Sequence, residues 1–584
     1  MKFKGALHAA FLVFVFALLA IPAVAQQSGG VITGCVITED GQPIPHAIVS
    51  ISGVSGRAKQ THVSRETVAD DDGNFVADGL QAIPYFVAAW APGYVPASDG
   101  AVLNPFELGE ARFVLVGEFV TVKLIRGGVI TGRVTNDAGE PVIDAPVKAT
   151  RVRDETGRST SVDVGAAHLW TRKTDDRGVY RIYGLAPGSY IVAAGGSDAS
   201  SPRPTPFTGR TNTYHPSSTR DAATLVNVSS GLVATGIDIR YRGESGFAIS
   251  GKIHGAPGTT PGMTQTSTNI YLRSPTSGET IETTSSQSKY NQNGYTFYGV
   301  PNGEYEVIAR NDRMDGEYGL DSTPRRIIVK GADVTGVDLT LVPNATVSGM
   351  VVVVKADSGA LECKNHRESY PEEIIVRARR DDPAEKSERL LPLFPGYGLG
   401  IPDHKGVFTI GDLKPGRHRI EMELPDETWY LKAMAMTGSK PAIDPRAGLT
   451  VKSGDKLNGL TLTIAAGAAM LKGKITVAEN TKLPTRLHVY LLPAEAEAID
   501  DVLRFAETSV EADGAFIFTN LAPGKYFVLA RAIPDSESGD KSLRPSAWEP
   551  AERKKLRKEA EAANLAIELK PCQPITGYAL RLTK

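Results

Sequence analysis

Cysteine is scarce in this sequence: the 584 residues contain three, Cys35, Cys363 and Cys572, at widely separated positions. Small secreted domains that depend on disulfides carry many cysteines at close spacings, so a disulfide framework is excluded. The odd count leaves at least one thiol free. Whether Cys363 and Cys572 pair in an oxidising compartment stays open at this point.

The sequence also lacks an excess of charge of either sign. Lys and Arg number 64 against 66 Asp and Glu, which gives a net charge of −2, and no stretch forms a basic stripe or an arginine-rich arm. Proteins that bind nucleic acid neutralise its phosphates with clustered basic side chains. The sequence therefore argues against a nucleic-acid partner.

The motifs of common catalytic and cofactor sites are also absent. The chain has no H-E-x-x-H, C-x-x-C, G-x-S-x-G, P-loop or dinucleotide-binding fingerprint. The nearest pair among its scattered histidines is His404 and His418, and a core or surface role suits them better than metal ligation. We expect no enzymatic activity, no metal site and no cofactor.

One acidic turn, Asp70-Asp71-Asp72-Gly73, invites a calcium interpretation because carboxylates suit a hard cation. However, its glycine is fourth, whereas a calcium loop of the EF-hand type has glycine at the sixth position. Similar turns elsewhere in the chain keep the glycine and vary the other residues. We interpret the stretch as a turn that selects backbone geometry.

One long apolar run is present, and it lies at the N-terminus. Lys2 and Lys4 precede it, and Ala23-Val24-Ala25 provides a small-residue cleavage pattern, so residues 1–25 are predicted to be a signal peptide. An uncleaved membrane anchor is the alternative. No later segment reaches the ~18 apolar residues of a spanning helix. We therefore expect an exported protein, periplasmic, cell-surface or extracellular, that does not span a membrane after signal removal.

Repetition is what the sequence has in abundance. DDRGVYRIYGLAPGSYIVAA at 175–194 returns as EADGAFIFTNLAPGKYFVLA at 511–530, and weaker copies lie at 70–89, 291–310 and 403–422. The turn glycines of these copies recur about every 110 residues, which is one domain length. The chain is therefore predicted to contain five tandem modules.

The repeated phrase alternates apolar and polar residues on both sides of a Pro-Gly turn, as half-buried strands do. We interpret it as a central hairpin. An opening phrase, ITGCVITEDGQPIPHAIVSI in the first module, is interpreted as a second hairpin, and modules two to four end with a closing strand pair. About seven short strands in ~110 residues predict an all-β fold of five tandem Greek-key sandwiches. The predicted modules span 26–117, 118–242, 243–343, 344–466 and 467–584.

Two segments near the C-terminus depart from the β pattern. Residues 494–511 place apolar side chains on one face at helical spacing, and the charged segment 549–565 carries a thin apolar stripe. Both are predicted to be minor helices that cover a sheet edge or a sandwich end. Docking of a partner on the second helix is the alternative.

The repeated phrases also carry a family resemblance. The G-x-[VI] opening, the G-x-P-[VI]-x-x-A-x-V phrase and the D-x-x-G-x-[FY]-x-[FI]-x-x-L-x-P-G-x-Y phrase resemble the carboxypeptidase regulatory-like domain, strongly in modules one, two and five. That family is similar to transthyretin and Cna B-type domains and groups with carbohydrate-binding-like sandwiches. The resemblance implies prealbumin- or immunoglobulin-like modules without catalytic residues. A Cna-type Lys–Asn cross-link is not expected, because the closing strands IDIRY, VDLTL and LTLTI contain no Asn.

Three functions remain open from the sequence. The first is binding of a polysaccharide or cell-envelope glycan, since sugar faces stack on aromatic rings. The second is a structural array, in which tandem sandwiches form a stiff rod that holds something away from the cell or mediates adhesion to another protein, such as an envelope protein. The third is an accessory subunit of a secreted hydrolase. For the first, the candidate aromatic platforms are Trp90, Tyr94, Tyr214, Phe394, Tyr397, Trp429 and Tyr430.

Overall fold

The computed structural model describes residues 30–54, 64–97, 113–155, 157, 171–196, 205–255, 267–287, 293–311, 319–354, 363, 370–380, 398–438, 443–477, 483–484, 487–511, 513–532 and 549–582. The predicted signal peptide lies outside these ranges. Within them, no helix is long and apolar enough to cross a membrane. The all-β prediction is confirmed.

The described strands fall into five consecutive groups. The first group comprises β1 (Gly30–Ile37), β2 (Ile48–Gly53), β3 (Ser64–Val68), β4 (Asn74–Leu80), β5 (Tyr85–Trp90), β6 (Tyr94–Pro96) and β7 (Phe119–Arg126). The second comprises β8 (Gly128–Thr135), β9 (Pro146–Asp154), β10 (Thr171–Lys173), β11 (Val179–Leu185), β12 (Gly188–Ala194), β13 (Thr213–Tyr214), β14 (Val226–Val228), β15 (Val233–Ala234) and β16 (Ile239–Arg240). The third comprises β17 (Phe247–His254), β18 (Ser267–Arg273), β19 (Thr280–Gln287), β20 (Gly294–Val300), β21 (Gly303–Asn311), β22 (Leu320–Ser322), β23 (Arg325–Val329) and β24 (Leu339–Pro343).

The fourth group comprises β25 (Ala345–Val354), β26 (Ile375–Arg380), β27 (Leu399–Gly400), β28 (Val407–Leu413), β29 (Gly416–Glu423), β30 (Trp429–Met436), β31 (Leu449–Val451) and β32 (Lys456–Ala466). The fifth comprises β33 (Ala469–Thr476), β34 (Leu487–Pro493), β35 (Ala506–Ser509), β36 (Ala515–Leu521), β37 (Gly524–Ala532), the helix α1 (Pro550–Ala563), β38 (Ala566–Leu569) and β39 (Pro574–Arg581). Each group encloses its own apolar core, and we refer to the groups as modules one to five.

All five modules repeat one pairing scheme. The opening strand pairs antiparallel with the strand after the Asp-Gly turn and parallel with the closing strand, as β1 does with β4 and β7. The second strand of the module pairs with the strand that follows the second turn, which is Pro-Gly in modules two, four and five, as β9 pairs with β12. The two sheets face each other across the core. In module three, β22 joins both layers into one continuous eight-stranded sheet.

The predicted hairpins are wrong, because the strands that flank each turn pair with other strands and not with each other. β11 pairs with β8, whereas β12 pairs with β9, so the Pro-Gly connection is an arch between the layers. Gly188 at this arch has φ 149°, and a Cβ there would lie 2.3 Å from the Arg153 carbonyl oxygen. Alternating burial is the same for a hairpin and an arch, which is why the sequence pattern does not distinguish them.

The tyrosine of the repeated phrase anchors each arch. In module two the Tyr190 hydroxyl donates to the Ala186 carbonyl at 2.7 Å. The same bond to the residue four positions earlier recurs for Tyr85, Tyr305 and Tyr526. In module four, His418 takes the tyrosine position, and its Nε2 lies 2.8 Å from the Lys414 carbonyl oxygen. The residue position therefore requires a buried side chain that can bond back to the arch, as in a tyrosine corner.

The helix predicted at 494–511 is wrong. Short 3-10 turns occupy Ala496–Ala498 and Val502–Arg504, and β35 then pairs with β34. Leu503 packs against the core of module four, so tertiary contacts override the helical spacing. The second predicted helix is confirmed as α1. Its Leu556 is buried against the outer face of the sheet that contains β34 and β37, which agrees with the covering role.

The first module extends further than the predicted boundary at residue 117. β7, Phe119–Arg126, lies in the second predicted module but pairs with β1 and places Val122 and Leu124 in the first core. The opening phrase of module two begins almost directly after this strand, and only Gly127-Gly128 marks the turn between them. The other predicted boundaries stay a prediction.

Candidate functional site

The structure places the seven candidate aromatic residues in different environments. Trp90, at the end of β5, is 42% exposed, and Tyr94 on β6 and Tyr430 on β30 are half-buried. Tyr214 and Trp429 are buried at 8% and 3% exposure. Phe394 and Tyr397 lie outside the described residues. Of the described candidates, Trp90, Tyr94 and Tyr430 therefore keep ring surface that a ligand could contact.

Trp429 and Tyr214 have packing partners that explain their burial. Trp429 opens β30 and belongs to the core of module four. Tyr214 packs with Ile191 and Ala193, and the Arg220 guanidinium lies over its ring at 5.9 Å and donates to its hydroxyl at 3.2 Å. In this conformation both rings serve packing.

Tyr94 lines a cleft of about 180 Å³ between modules one and two. β6 places it opposite Arg126, and the guanidinium lies 5.5 Å from the ring centroid. The turn of the opening phrase contributes Glu39 and Asp40, and Ser230 comes from module two. Backbone bonds hold the junction, since the Gly231 N–H and the Ser230 hydroxyl both donate to the Arg126 carbonyl at 3.0 Å.

The cleft combines an aromatic face with carboxylates, a hydroxyl and a guanidinium. Such groups can stack on the apolar face of a sugar ring and hydrogen-bond to its hydroxyls. Its volume is below the ~300 Å³ at which pockets for drug-sized ligands begin, so it suits a unit of about one sugar ring. Sequence reasoning found Tyr94 but missed the other lining residues, because they come from separate turns of two modules.

The acidic turns have a structural use for their carboxylates. One Asp70 oxygen accepts the N–H groups of Asp72 and Asn74 at 3.0 and 2.7 Å. Asp175 and Asp403 make the same pair of bonds in modules two and four. The first Asp of the turn thus recurs together with the glycine, a feature that our sequence interpretation missed. In the described ranges, no three His, Cys, Asp or Glu side chains cluster as metal ligands would.

Modules two and three meet through a charged contact. Arg220 pairs with Glu279, and Lys148 on β9 faces Glu282 on β19 closely enough for their charges to interact. Burial raises the pKa of Glu282 to about 7, against the opposing effect of the Lys148 ammonium. Burial likewise lowers the pKa of Lys148. No local sequence signal marks these residues, because each pair joins two modules.

Specific contacts also join module four to module five and module three to module four. Cys363 and Cys572 form a disulfide between modules four and five, which answers the pairing left open above. Asn520 of module five donates to the carbonyls of Asp426 and Trp429 at 2.7 and 2.8 Å. The Gly319 N–H of module three donates to Asp412 of module four. Covalent and polar contacts therefore bind neighbours in the second half of the chain.

Module one also contacts module four, although two modules separate them in sequence. Val54 and Phe113 share a buried apolar cluster with Ile375 and Ile401. The Arg377 guanidinium of module four lies 6.0 Å from the centre of the Phe113 ring. The chain therefore folds back on itself, and the stiff rod expected of tandem sandwiches is wrong.

Several solved structures are similar to parts of this chain. The Bacillus anthracis TIE protein is 14% identical over 54% of this chain, with a TM-score of 0.14, and the match spans about half, 51%, of that protein. The minor pilin GBS52 of Streptococcus agalactiae is 13% identical, with 36% and 96% of the two chains covered and a TM-score of 0.20. The major pilin BcpA of Bacillus cereus is 11% identical, with 53% and 99% covered and a TM-score of 0.13. TM-scores this low carry no argument about function.

The family comparison is more specific. No curated protein matches the chain by sequence. Residues 31–116 match the profile of the carboxypeptidase regulatory-like domain, and this range begins in β1 and holds the first Asp-Gly turn and the strands on both sides of it. The match covers the first sandwich, and the four sandwiches that follow repeat its pairing scheme.

Proposed function

We propose that this chain is an exported, non-catalytic scaffold protein that holds five sandwich modules in a fixed, folded-back arrangement. The proposal rests on specific contacts that join one module to another, because a flexible tandem array would need none. A disulfide joins modules four and five, and an apolar contact joins modules one and four. Disulfides persist in oxidising compartments, so the cross-link agrees with export.

Solution scattering of the full chain tests the fixed arrangement. A compact chain of this length has a radius of gyration of about 25 Å, and an extended row of five modules would have roughly twice that value. We expect a value near the compact limit, and a larger radius for Phe113→Ala, which removes the aromatic side chain between modules one and four. Phe119→Ala is the matched control because Phe119 is 63% exposed. A wild-type radius of gyration near the extended value would refute the fixed, folded-back arrangement.

Binding of a saccharide is a second candidate function, favoured by the composition of the Tyr94 cleft. The cleft offers a ring face beside Arg126 together with the carboxylates of Glu39 and Asp40. It lies where two modules meet, a place where binding sites often form. The scaffold would then hold the cleft open by fixing the junction.

A glycan array separates the two candidates. We expect retention on one glycan class that Tyr94→Ala abolishes. Tyr183→Ala is the control, since Tyr183 is 56% exposed on module two. Equal retention of all variants, or retention on no glycan, would leave the scaffold without a sugar site at Tyr94.

A further inference from the structure

One backbone hydrogen bond, which we call the junction bond, recurs at all four junctions between consecutive modules. The residue directly before each opening strand donates its N–H to a carbonyl of the preceding module, at distances between 2.9 and 3.1 Å. The pairs, donor first, are Gly127 and Gly93, Gly246 and Gly209, Asn344 and Gly319, and Ala468 and Thr428. The four junctions are therefore copies of one structural element.

A β-bulge in every module is the second repeated feature. The strand that pairs antiparallel with the opening strand carries one extra residue near its end, where the register of the pairing shifts. The penultimate residue of that strand has positive φ, between 56° and 73°. We call it the bulge residue. In modules one to five it is Gly79, Gly184, Gly299, Asp412 and Asn520.

In modules four and five the side chain of the bulge residue bonds to the module before it. Asp412 accepts the N–H of Gly319, whose carbonyl is the acceptor of the third junction bond. Asn520 donates to the carbonyls of Asp426 and Trp429 at 2.7 and 2.8 Å, on either side of the acceptor of the fourth junction bond. The carboxylate thus meets a donor and the amide meets two acceptors, so each side chain matches the backbone groups that it faces.

In modules two and three the bulge residue is glycine, and it packs directly on backbone. A Cβ on Gly299 would lie 2.2 Å from the Arg210 carbonyl oxygen of module two. At the first junction, a Cβ on Gly127 would lie 2.8 Å from the Cα of Gly184, so the backbones of these two glycines are in contact. Glycine therefore permits an approach between modules that a larger residue would block.

We propose that the bulge residue is the docking point for the preceding module and that its side chain selects the junction: glycine for direct backbone contact, Asp for an N–H group and Asn for carbonyls. This inference rests on the fixed arrangement proposed above, since a flexible array has no junction to select. The bulge does not depend on docking, because Gly79 of module one has the same conformation and is exposed. The junctions therefore use a feature that the strand already has.

Hydrogen exchange at the amide of Ala468, the donor of the fourth junction bond, tests the proposal in the full chain. Asn520→Gly tolerates the positive φ and removes both side-chain bonds, and we expect exchange at Ala468 to become about tenfold faster. Asn520→Asp keeps the size of the side chain but turns a carboxylate toward two carbonyl oxygens. We expect a larger increase in exchange for this variant, because the carboxylate offers no donor.

Asn564→Gly is the matched control, since Asn564 also belongs to module five and has φ 50°, but it is exposed at the end of α1. It should leave exchange at Ala468 unchanged, and the amides of β34 report whether module five stays folded. Unchanged exchange at Ala468 in Asn520→Gly, or an equal increase in Asn564→Gly, would overturn the proposal. A compact radius of gyration in the same protein would still support the fixed arrangement, so the two claims fail separately.

A pair of glycine variants provides an independent readout, which decides the matter if the Asn520 variants do not fold. Gly79→Ala and Gly299→Ala place a Cβ at nearly the same φ, 68° and 69°. The nearest atom to the new Cβ is a guanidinium nitrogen of Arg65 at 3.2 Å in the first, and the Arg210 carbonyl oxygen in the second. We expect the greater loss of melting temperature in Gly299→Ala, and faster exchange at Gly246 in that variant alone. Equal losses with unchanged exchange at Gly246 would mean that the bulge serves only its own strand, and would refute docking.

Discussion

At the scale of single residues, the glycine and the tyrosine of the repeated phrase allow the chain to cross from one sheet to the other. Its Gly allows the chain to turn sharply at the arch, as Gly188 does with φ 149°. Its Tyr donates a hydrogen bond back to a partly buried carbonyl of the arch, and such a backbone group needs a partner. His418 makes the same contact with a ring nitrogen, so the contact itself, and not the phenol, is what the position requires.

Tyr190→Phe tests this role at the arch. The Ala186 carbonyl loses its donor, and we expect the free energy of unfolding of module two to fall by about 1 kcal/mol. Denaturant titration followed by hydrogen exchange of β12 measures the change. Tyr183→Phe, at an exposed position of the same module, should leave the value unaltered, and equal effects of the two variants would contradict the assignment.

At the scale of elements, period-two alternation predicted the strands well but not their partners. Tyr180 and Ile182 of β11 are buried as the pattern requires, yet the strand pairs with β8 and not with its neighbour in sequence. The segment 494–511 shows the opposite failure. Its helical spacing is real, but pairing of β35 with β34 and the contact of Leu503 with another module decide its conformation.

The candidate cleft was predictable only in part. Tyr94 stands out in the sequence because it falls outside the alternating core positions. Glu39 and Ser230 gave no signal, since they belong to turns of two modules that approach each other only in the folded chain. Contacts between modules depend on how the modules are placed in the folded chain, and the residue pattern of a single strand gives no information about that placement.

The helix α1 gives a prediction at this scale. Leu556, at 1% exposure, fills the space between the helix and the sheet of module five, and Leu556→Ala should cost about 2–5 kcal/mol of unfolding free energy. Leu565→Ala is the control, because Leu565 follows the helix and is 37% exposed. Thermal and denaturant unfolding measure both. A neutral Leu556→Ala variant would mean that the helix does not cover the sheet.

At the scale of the whole molecule, the contact between modules two and three should make the stability of the folded chain depend on pH. Burial raises the pKa of Glu282 from 4.5 to about 7, in the neighbourhood of Lys148, Arg220 and Glu279. Between these two pKa values the folded chain holds a proton that unfolding releases, so stability should fall as the pH rises from about 4.5 to 7.

Glu282→Gln removes the titrating group while keeping its shape. We expect the melting temperature of this variant to vary less between pH 5 and 7 than that of the wild type. Calorimetry at constant ionic strength measures both. Glu568→Gln, which alters an exposed carboxylate on β38, serves as the control. A wild-type melting temperature that rises with pH across this window, or an identical slope in Glu282→Gln, would contradict the assignment.

The claim on which the account depends is that specific contacts fasten the modules to one another, and the covalent contact tests it most directly. Non-reducing peptide mapping of the full chain, purified without reductant, should find one disulfide that joins the peptides of Cys363 and Cys572. It should also find one alkylatable thiol, Cys35. Three free thiols, or a disulfide that includes Cys35, would contradict the fastening of modules four and five.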